Sequence, residues 1–174
     1  LFLLKECYRL LKPGGGVRFT MPNIDILYNA FLRNDLRLYQ DIETQRALSI
    51  EFPDFTTIEQ YFLDQVASQI SVKDTFTDCD KLTDEDIRLT LKKMPLEEAL
   101  DNFVSKCSLE LHKETPGNHI SWWNYKKAKK FFKDAGFDDI YLSGYGQSAF
   151  PEMRNTSMFD TTRPNYSLYI EARK

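Results

Sequence analysis

Cysteine is scarce in this chain, and its pattern offers no pairing. Cys7, Cys79 and Cys107 are odd in number, far apart and without a CxxC spacing. That excludes a disulfide-stapled secreted scaffold and a zinc ribbon, and it points to free thiols in a reducing, cytoplasmic compartment. Histidine is scarcer still: His112 and His119 stand on either side of a Pro116-Gly117 break and share no face. With Glu110 and Glu114 they form no metal site. No apolar run approaches the roughly 20 residues of a membrane-spanning helix. Leu1 to Leu4 follow no basic leader, and Lys5 and Glu6 come directly after, unlike a signal peptide. A net charge of −3 leaves no footprint for nucleic acid. The acidic run Asp74, Asp78, Asp80, Asp84, Glu85 and Asp86 lacks the glycine and closing glutamate of a calcium loop and reads as a solvated cap.

What is present fits a globular α/β chain: 42% hydrophobic, 14% aromatic and 28% charged residues. Leu1, Leu4, Tyr8 and Leu11 recur at helical spacing, and Lys5, Glu6, Arg9 and Lys12 fill the opposite face. Pro13 stops that helix, Gly14-Gly15-Gly16 turns the chain, and Val17 to Met21 reads as a strand. Near the other end, Asn124 is placed to cap a helix with a buried stripe of Ala128, Phe131, Phe132 and Ala135. Its lysines (Lys126, Lys127, Lys129 and Lys130) occupy the solvated face. Gly136 follows as the expected left-handed closing residue. Asp139 to Ser143 reads as a strand. Tyr166 to Arg173 alternates as a half-buried strand. The link between these two has no helical period, so an antiparallel pairing is expected. Between the two ends the spacing predicts helices over Ile24 to Leu38, Thr56 to Ile70, Thr83 to Met94 and Pro95 to Leu109. Thr83 and Asp86 are spaced as a capping box, and Pro95 is expected at a first helical position.

Leu10 to Asn23, with its LLKPGG turn, apolar strand and closing Pro22-Asn23, resembles a segment of class I S-adenosylmethionine-dependent methyltransferases, the type-11 group in particular. Trp122-Trp123-Asn124-Tyr125 with the helix ending Ala135-Gly136-Phe137 resembles that family's helix before strand 6. Gly144 to Ser148, Pro151 to Asn155 and Arg163 to Ala172 resemble the tail of predicted methyltransferases of unassigned substrate. The resemblance implies the C-terminal half of a Rossmann-like sheet, strands ordered 5-7-6, with a helical insertion. Residues 1–34 would hold a helix, strand 5 and the next helix; 35–116 the insertion; 117–174 the last helix with strands 6 and 7. It also implies S-adenosylmethionine as cofactor, while the family's Gly-rich loop and acidic ribose ligand have no counterpart here. Gly14-Gly15-Gly16 precedes a strand, whereas ligands of open α/β sheets sit beyond the carboxyl ends of strands. No cofactor-binding residue is therefore assigned, and upstream sequence is expected beyond Leu1.

Candidate chemistry gathers in few places. Asn23 and Asp25 follow the carboxyl end of the first strand, where they could bind substrate and orient a nucleophile, or Asn23 could simply cap the following helix. His119 stands in a loop where a near-neutral imidazole could accept the proton released on methyl transfer, or be a hydrogen-bonded loop residue. Trp122 and Trp123 could stack on a ring or sugar, or be buried. Ser148, Arg154 and Arg163 flank a polar loop. The arginines could hold a substrate carboxylate or phosphate, or pair with Asp160 and Glu152. The insertion reads as a substrate lid, or as a packing or dimer subdomain. Two functions follow: a methyltransferase portion acting on a small molecule or glycan precursor, or a non-catalytic methyltransferase-like binding or assembly module. Expected partners are that substrate and, along the open edge of Val17 to Met21, the missing N-terminal half or a second copy.

Overall fold

A computed structural model describes residues 1–46, 57–161 and 163–174. The chain is α/β and divides into two compact units, one of 1–23 with 123–174 and one of 24–122. The division falls at Asn23 and Trp122, not at the expected 34 and 116. Helix Ile24–Leu32 therefore belongs with the helical unit. Lysine and arginine outnumber acidic residues in the first unit and are outnumbered in the second, a split that the overall charge conceals.

The first unit is a sheet with helices. Strands β1 (Gly16–Pro22), β2 (Asp139–Ser143) and β3 (Ser167–Arg173) lie in the order β1-β3-β2. The last strand is therefore central and antiparallel to both neighbours; its antiparallel pairing with β2 follows the sequence pattern, and its central place is the one the resemblance implies. Among the described residues β1 pairs only with β3, which leaves its other edge open. Register sets which residues share a face. Leu168, Ile170 and Ala172 alternate toward helices α1 (Phe2–Leu10) and α8 (Tyr125–Asp134), where Leu4, Ala128, Phe132, Ala135, Phe137 and Ile140 complete a buried core. Opposite Ala172, Ile170 and Leu168 on β1 stand Val17, Phe19 and Met21, packed against the same core. Phe132 meets Phe19 edge-on, with ring centres 5.7 Å apart, and Tyr8 meets Phe137 likewise at 5.0 Å.

The ends of α8 follow its sequence. Asn124 accepts the N–H of Lys127 at 2.9 Å, satisfying one of the first-turn donors. Gly136 closes the helix at φ +106°, beside the Tyr8 ring, where a side chain would be both strained and crowded. Beyond β2 the chain runs from Gly144 to Thr161 as a strap with a 3₁₀ turn at Pro151–Arg154. It covers the second face of the sheet.

The second unit is helical: α2 (Ile24–Leu32), α3 (Leu36–Arg46), α4 (Ile58–Ala67), α5 (Asp84–Lys93), α6 (Leu96–Val104) and α7 (Leu109–Glu114). The single helix expected over Ile24 to Leu38 is broken at Asn34, which takes φ +53°, so α3 starts anew at Leu36. Asparagine tolerates that left-handed conformation better than most residues. Thr56, the expected start of the next helix, lies outside the described residues. Thr57 caps α4, accepting the Gln60 N–H. Thr83 and Asp86 form the expected capping box on α5. Pro95 stands one place earlier than expected, as the N-cap of α6, and the expected run to Leu109 ends at Val104. Helix α7 has no counterpart in the sequence reading. No described helix is long and apolar enough to cross a membrane.

Phe132 is 1% exposed at the centre of the sheet unit's core. Phe132→Ala should therefore lower stability by about 3–5 kcal/mol in denaturant unfolding, while Lys133→Ala on the solvated face should stay within about 0.5 kcal/mol.

Candidate functional site

The polar heart of the sheet unit is Arg18. The alternation that sends Val17 and Phe19 to the core sends Arg18 to the other face, directly opposite Glu171 on β3, with Tyr141 of β2 beyond. There the strap closes over it. Arg18 Nε donates to Asp160 Oδ1 at 3.0 Å and Nη2 to Asp160 Oδ2 at 2.5 Å. Nη1 donates to Glu171 Oε1 and, at 2.8 Å, to Ser143 Oγ. Nη2 also donates to the Gly144 carbonyl at 2.8 Å. All five guanidinium donors are thereby used. The carboxylates are satisfied in turn: Gly146 N–H donates to Asp160 and Ala149 N–H to Glu171.

The side chains of Arg18, Asp160 and Glu171 are 5%, 2% and 0% exposed. Burial opposes the guanidinium charge, but Asp160 and then Glu171 more than offset it, so Arg18 holds its proton more tightly than an exposed arginine. The neighbouring phenols respond to the same setting. Tyr169, whose ring lies under the guanidinium at 4.8 Å, is pushed up by burial and then by Asp160. Tyr141 is pushed up by burial and then by Glu171. With every donor engaged, Arg18 holds the strap on the sheet and has none left for a ligand.

Several expected site residues fall within this architecture. Ser148 Oγ accepts the Phe150 N–H at 3.0 Å, and its carbonyl accepts Arg154 Nε at 2.7 Å, so both shape the strap. Arg163, at φ +52°, donates to the Tyr166 hydroxyl at 2.9 Å. Asp160, a conceivable partner of Arg163, is held by Arg18 instead. Trp123 is half-buried, edge-on to Phe131 with ring centres 5.1 Å apart, and Lys127 lies over its face. Asn23 donates its main-chain N–H to the Tyr166 carbonyl just beyond β1.

The remaining candidates, Asp25, His119 and Trp122, belong to the helical unit. Asp25 is exposed on the first turn of α2. Trp122 is 4% exposed and donates its indole N–H to Asp101 at 2.7 Å, so its ring is packed inside rather than offered for stacking. His119 is fixed against the end of α4. Its N–H donates to Ser68 Oγ at 2.8 Å, its carbonyl accepts the Ser68 N–H at 2.9 Å, and Ile120 bridges to Ala67. His119 Nδ1 lies 2.9 Å from the Asp64 carbonyl oxygen. A carbonyl only accepts, so Nδ1 carries the proton in the neutral ring and Nε2 keeps the lone pair. That tautomer is held by the backbone of a buried helix.

The loop before His119 is anchored by Asp74, which is 6% exposed and so departs from the solvated acidic run expected of it. Its Oδ1 accepts the N–H groups of Phe76 and Thr77, and its Oδ2 accepts Asn118 Nδ2 at 3.0 Å and the Thr77 hydroxyl at 2.5 Å. Burial raises its pKa, but these hydrogen bonds and Lys81 outweigh burial and hold the carboxyl below its ordinary range.

Arg18, Glu171 and Asp74 are the important polar residues that sequence reasoning passed over. For the first two a signal existed. Arg18 and Glu171 each occupy the non-core phase of an alternating strand, and adjacent antiparallel strands bring opposite charges together. Nothing in the sequence marks Asp74 off from its acidic neighbours. Among the described residues no group of three histidine, cysteine or acidic side chains could hold a metal. No family model, curated protein or solved structure matches this chain. Function rests on the geometry and on the motifs in the sequence.

Arg18→Met leaves two buried carboxylates without their counter-charge and should cost about 3–5 kcal/mol, whereas Arg18→Met combined with Glu171→Gln should cost less; paired urea titrations read the difference. A second expectation concerns acid. Asp74 binds its proton less readily folded than unfolded, so its contribution is present above about pH 4, the ordinary aspartate range, and is lost as pH falls through its folded value. Asp74→Asn should flatten part of the loss of stability between about pH 5 and pH 2, as measured by thermal unfolding across pH.

Proposed function

We propose that these 174 residues are the C-terminal portion of a class I, type-11-like S-adenosylmethionine-dependent methyltransferase, acting in the cytoplasm on a small molecule or glycan precursor, with the helical unit as its substrate lid. The observation that carries this reading is the sheet. Its final strand lies between the other two, antiparallel to both, with α1 and α8 on one face. That agrees with the 5-7-6 end of the Rossmann-like sheet implied by the KPGG turn, the Ala135-Gly136-Phe137 helix end and the Ser167 to Ala172 strand. The open edge of β1, with Phe2, Leu3 and Leu10 exposed on α1 of the same unit, supports a sheet that continues into an N-terminal half or a second copy.

The described residues do not fit the cofactor. Gly14-Gly15-Gly16 comes before β1 instead of after a strand. Over Gly16 the Phe150 ring fills the space in which even a Cβ would stand, 1.8 Å away. This leaves no cradle there for a nucleoside or a sulfonium. The reading therefore assigns cofactor binding to no residue of this chain. Within the helical unit it gives His119 the role of proton acceptor through Nε2 and Asp25 to substrate; within the sheet unit it keeps Asn23, Ser148, Arg154 and Arg163 for substrate. Trp123 keeps an exposed portion that suits stacking, which the buried Trp122 lacks.

The same lack of fit favours a second reading: a non-catalytic methyltransferase-like module that binds or assembles. Calorimetry with S-adenosylhomocysteine separates the two. The 174-residue chain should show no tight binding, and micromolar affinity would overturn the placement of the cofactor site elsewhere. The chain extended upstream by its natural sequence should bind; failure of that longer protein to bind, when folded, would overturn the enzyme and leave the module.

A further inference from the structure

The net charge of −3 averages two units of opposite sign. The sheet unit carries 13 lysines and arginines against 7 acidic residues, and the helical unit 10 against 19. Three charges of the sheet unit, those of Arg18, Asp160 and Glu171, are buried under the strap. Its positive excess therefore stands at the surface.

That excess gathers on the outer sides of α1 and α8, which cover the same face of the sheet. Helix α8 holds five lysines in ten residues. Along α1 and the residue beyond its cap, Lys5, Arg9 and Lys12 recur at i, i+4 and i+7, and all three are exposed. The two rows of cations approach each other at Tyr8. Its ring meets Phe137 edge-on and lies against Gly136, the closing residue of α8. Lys174 Nζ stands over the same ring, 4.8 Å from its centre and 3.4 Å from the Arg9 carbonyl oxygen. On α8, Lys129 lies over Tyr125 at 5.4 Å, and Lys133 is exposed one turn further on. Ammonium groups held over rings in this way are partly ordered in advance of any ligand.

The acidic residues of the two helices do not balance these cations. They are Glu6 and Asp134, taken by Arg9 at 2.8 Å and by Lys130 at 2.7 Å. Like charges one turn apart, such as Lys129 and Lys133, weaken a helix. A row of them gains from an anionic partner that relieves the repulsion. Helix α8 has no apolar face to insert into lipid, because Ala128 and Phe132 are in the core. Cations set among aromatic rings suit the backbone of a single strand, whose charges repeat along a chain.

We propose that this face binds the phosphate backbone of a single-stranded nucleic acid, with Lys5, Lys12, Lys129, Lys133 and Lys174 as its main contacts. Neither S-adenosylmethionine nor the helical unit takes part. Contacts to phosphate alone carry no base preference, and their strength depends on salt.

The test is fluorescence anisotropy of the 174-residue protein with a labelled oligouridylate of about 20 nucleotides, a length that exceeds the site of one small domain. Five phosphate contacts predict a loss of affinity of about 100-fold between 50 and 200 mM salt. The combined variant Lys5→Gln, Lys12→Gln, Lys129→Gln and Lys133→Gln, checked for fold by circular dichroism, should bind more than about tenfold more weakly, with a salt slope lower by about 3. Lys92→Gln with Lys93→Gln, exposed on α5 of the helical unit, should change affinity less than about twofold. If the combined variant fails to fold, acetylation of the wild-type protein followed by mass spectrometry decides: the oligonucleotide should protect Lys5, Lys12, Lys129 and Lys133 and leave Lys92 and Lys93 reactive. Absence of binding at 50 mM salt, binding insensitive to salt, a folded combined variant that binds like wild type, or equal protection of Lys92 and Lys93 would each overturn the proposal. So would binding to phosphatidylserine vesicles that the oligonucleotide does not displace, which would give the face to a membrane.

Discussion

The pairing of β3 on both of its edges is the constraint from which the sheet unit follows. A strand that arrives last and inserts between two others must satisfy hydrogen bonds to left and right at once, and here both ladders are antiparallel. Central position buries both of its faces. On one face that suits Leu168, Ile170 and Ala172, which meet α1 and α8. On the other it buries Glu171, a charge that must be paired or else neutralised. Arg18 is the residue that register puts opposite, and the same guanidinium reaches Asp160 of the strap. The central strand thus accounts for the apolar core, the buried charge and the anchoring of the strap.

The helical unit solves a different problem. Every residue of α4 is buried, including Glu59, Gln60, Asp64 and Gln65. A helix so polar can be enclosed only where its side chains bond to the chain around it. Gln60 does so by donating to the Leu82 carbonyl and accepting from Val72 N–H and the Ser71 hydroxyl. Gln69, just past the helix, does the same for Ser108. Glu59 pairs with Arg88 of α5 at 2.8 Å. The loop carrying His119 is fixed by this framework, with Ser68 and Asp64 on the side of α4 and Asp74 bonding Asn118. Polar side chains thus tie the loops of this unit to a buried helix.

What could be read beforehand was local or periodic. The α8 cap at Asn124, its closing Gly136, the Thr83–Asp86 box and the three strands follow from residue spacing and from the few residues that suit helix ends. The misread helix over Ile24 to Leu38 shows the limit of periodicity. Apolar residues continue in phase past Leu32, and only the left-handed turn at Asn34 separates α2 from α3. For candidate site residues the limit is sharper. Ser148, Arg154, Trp122 and Arg163 were chosen for their chemistry, yet each makes internal hydrogen bonds that no spacing rule reveals.

By itself the sequence determined the positions of the strands, the antiparallel sense of β2 against β3, the helix caps and the absence of a long apolar span, because these depend on neighbours along the chain and on the length of the connections; the order of the strands it offered only through a resemblance. Only the tertiary structure decided which charges are buried, which carboxylates Arg18 holds and which histidine nitrogen carries the proton. Those outcomes join residues far apart in sequence, such as Arg18 with Asp160 and Gln69 with Ser108, and their energy comes from excluding water around the pair, which exists only once the chain is folded.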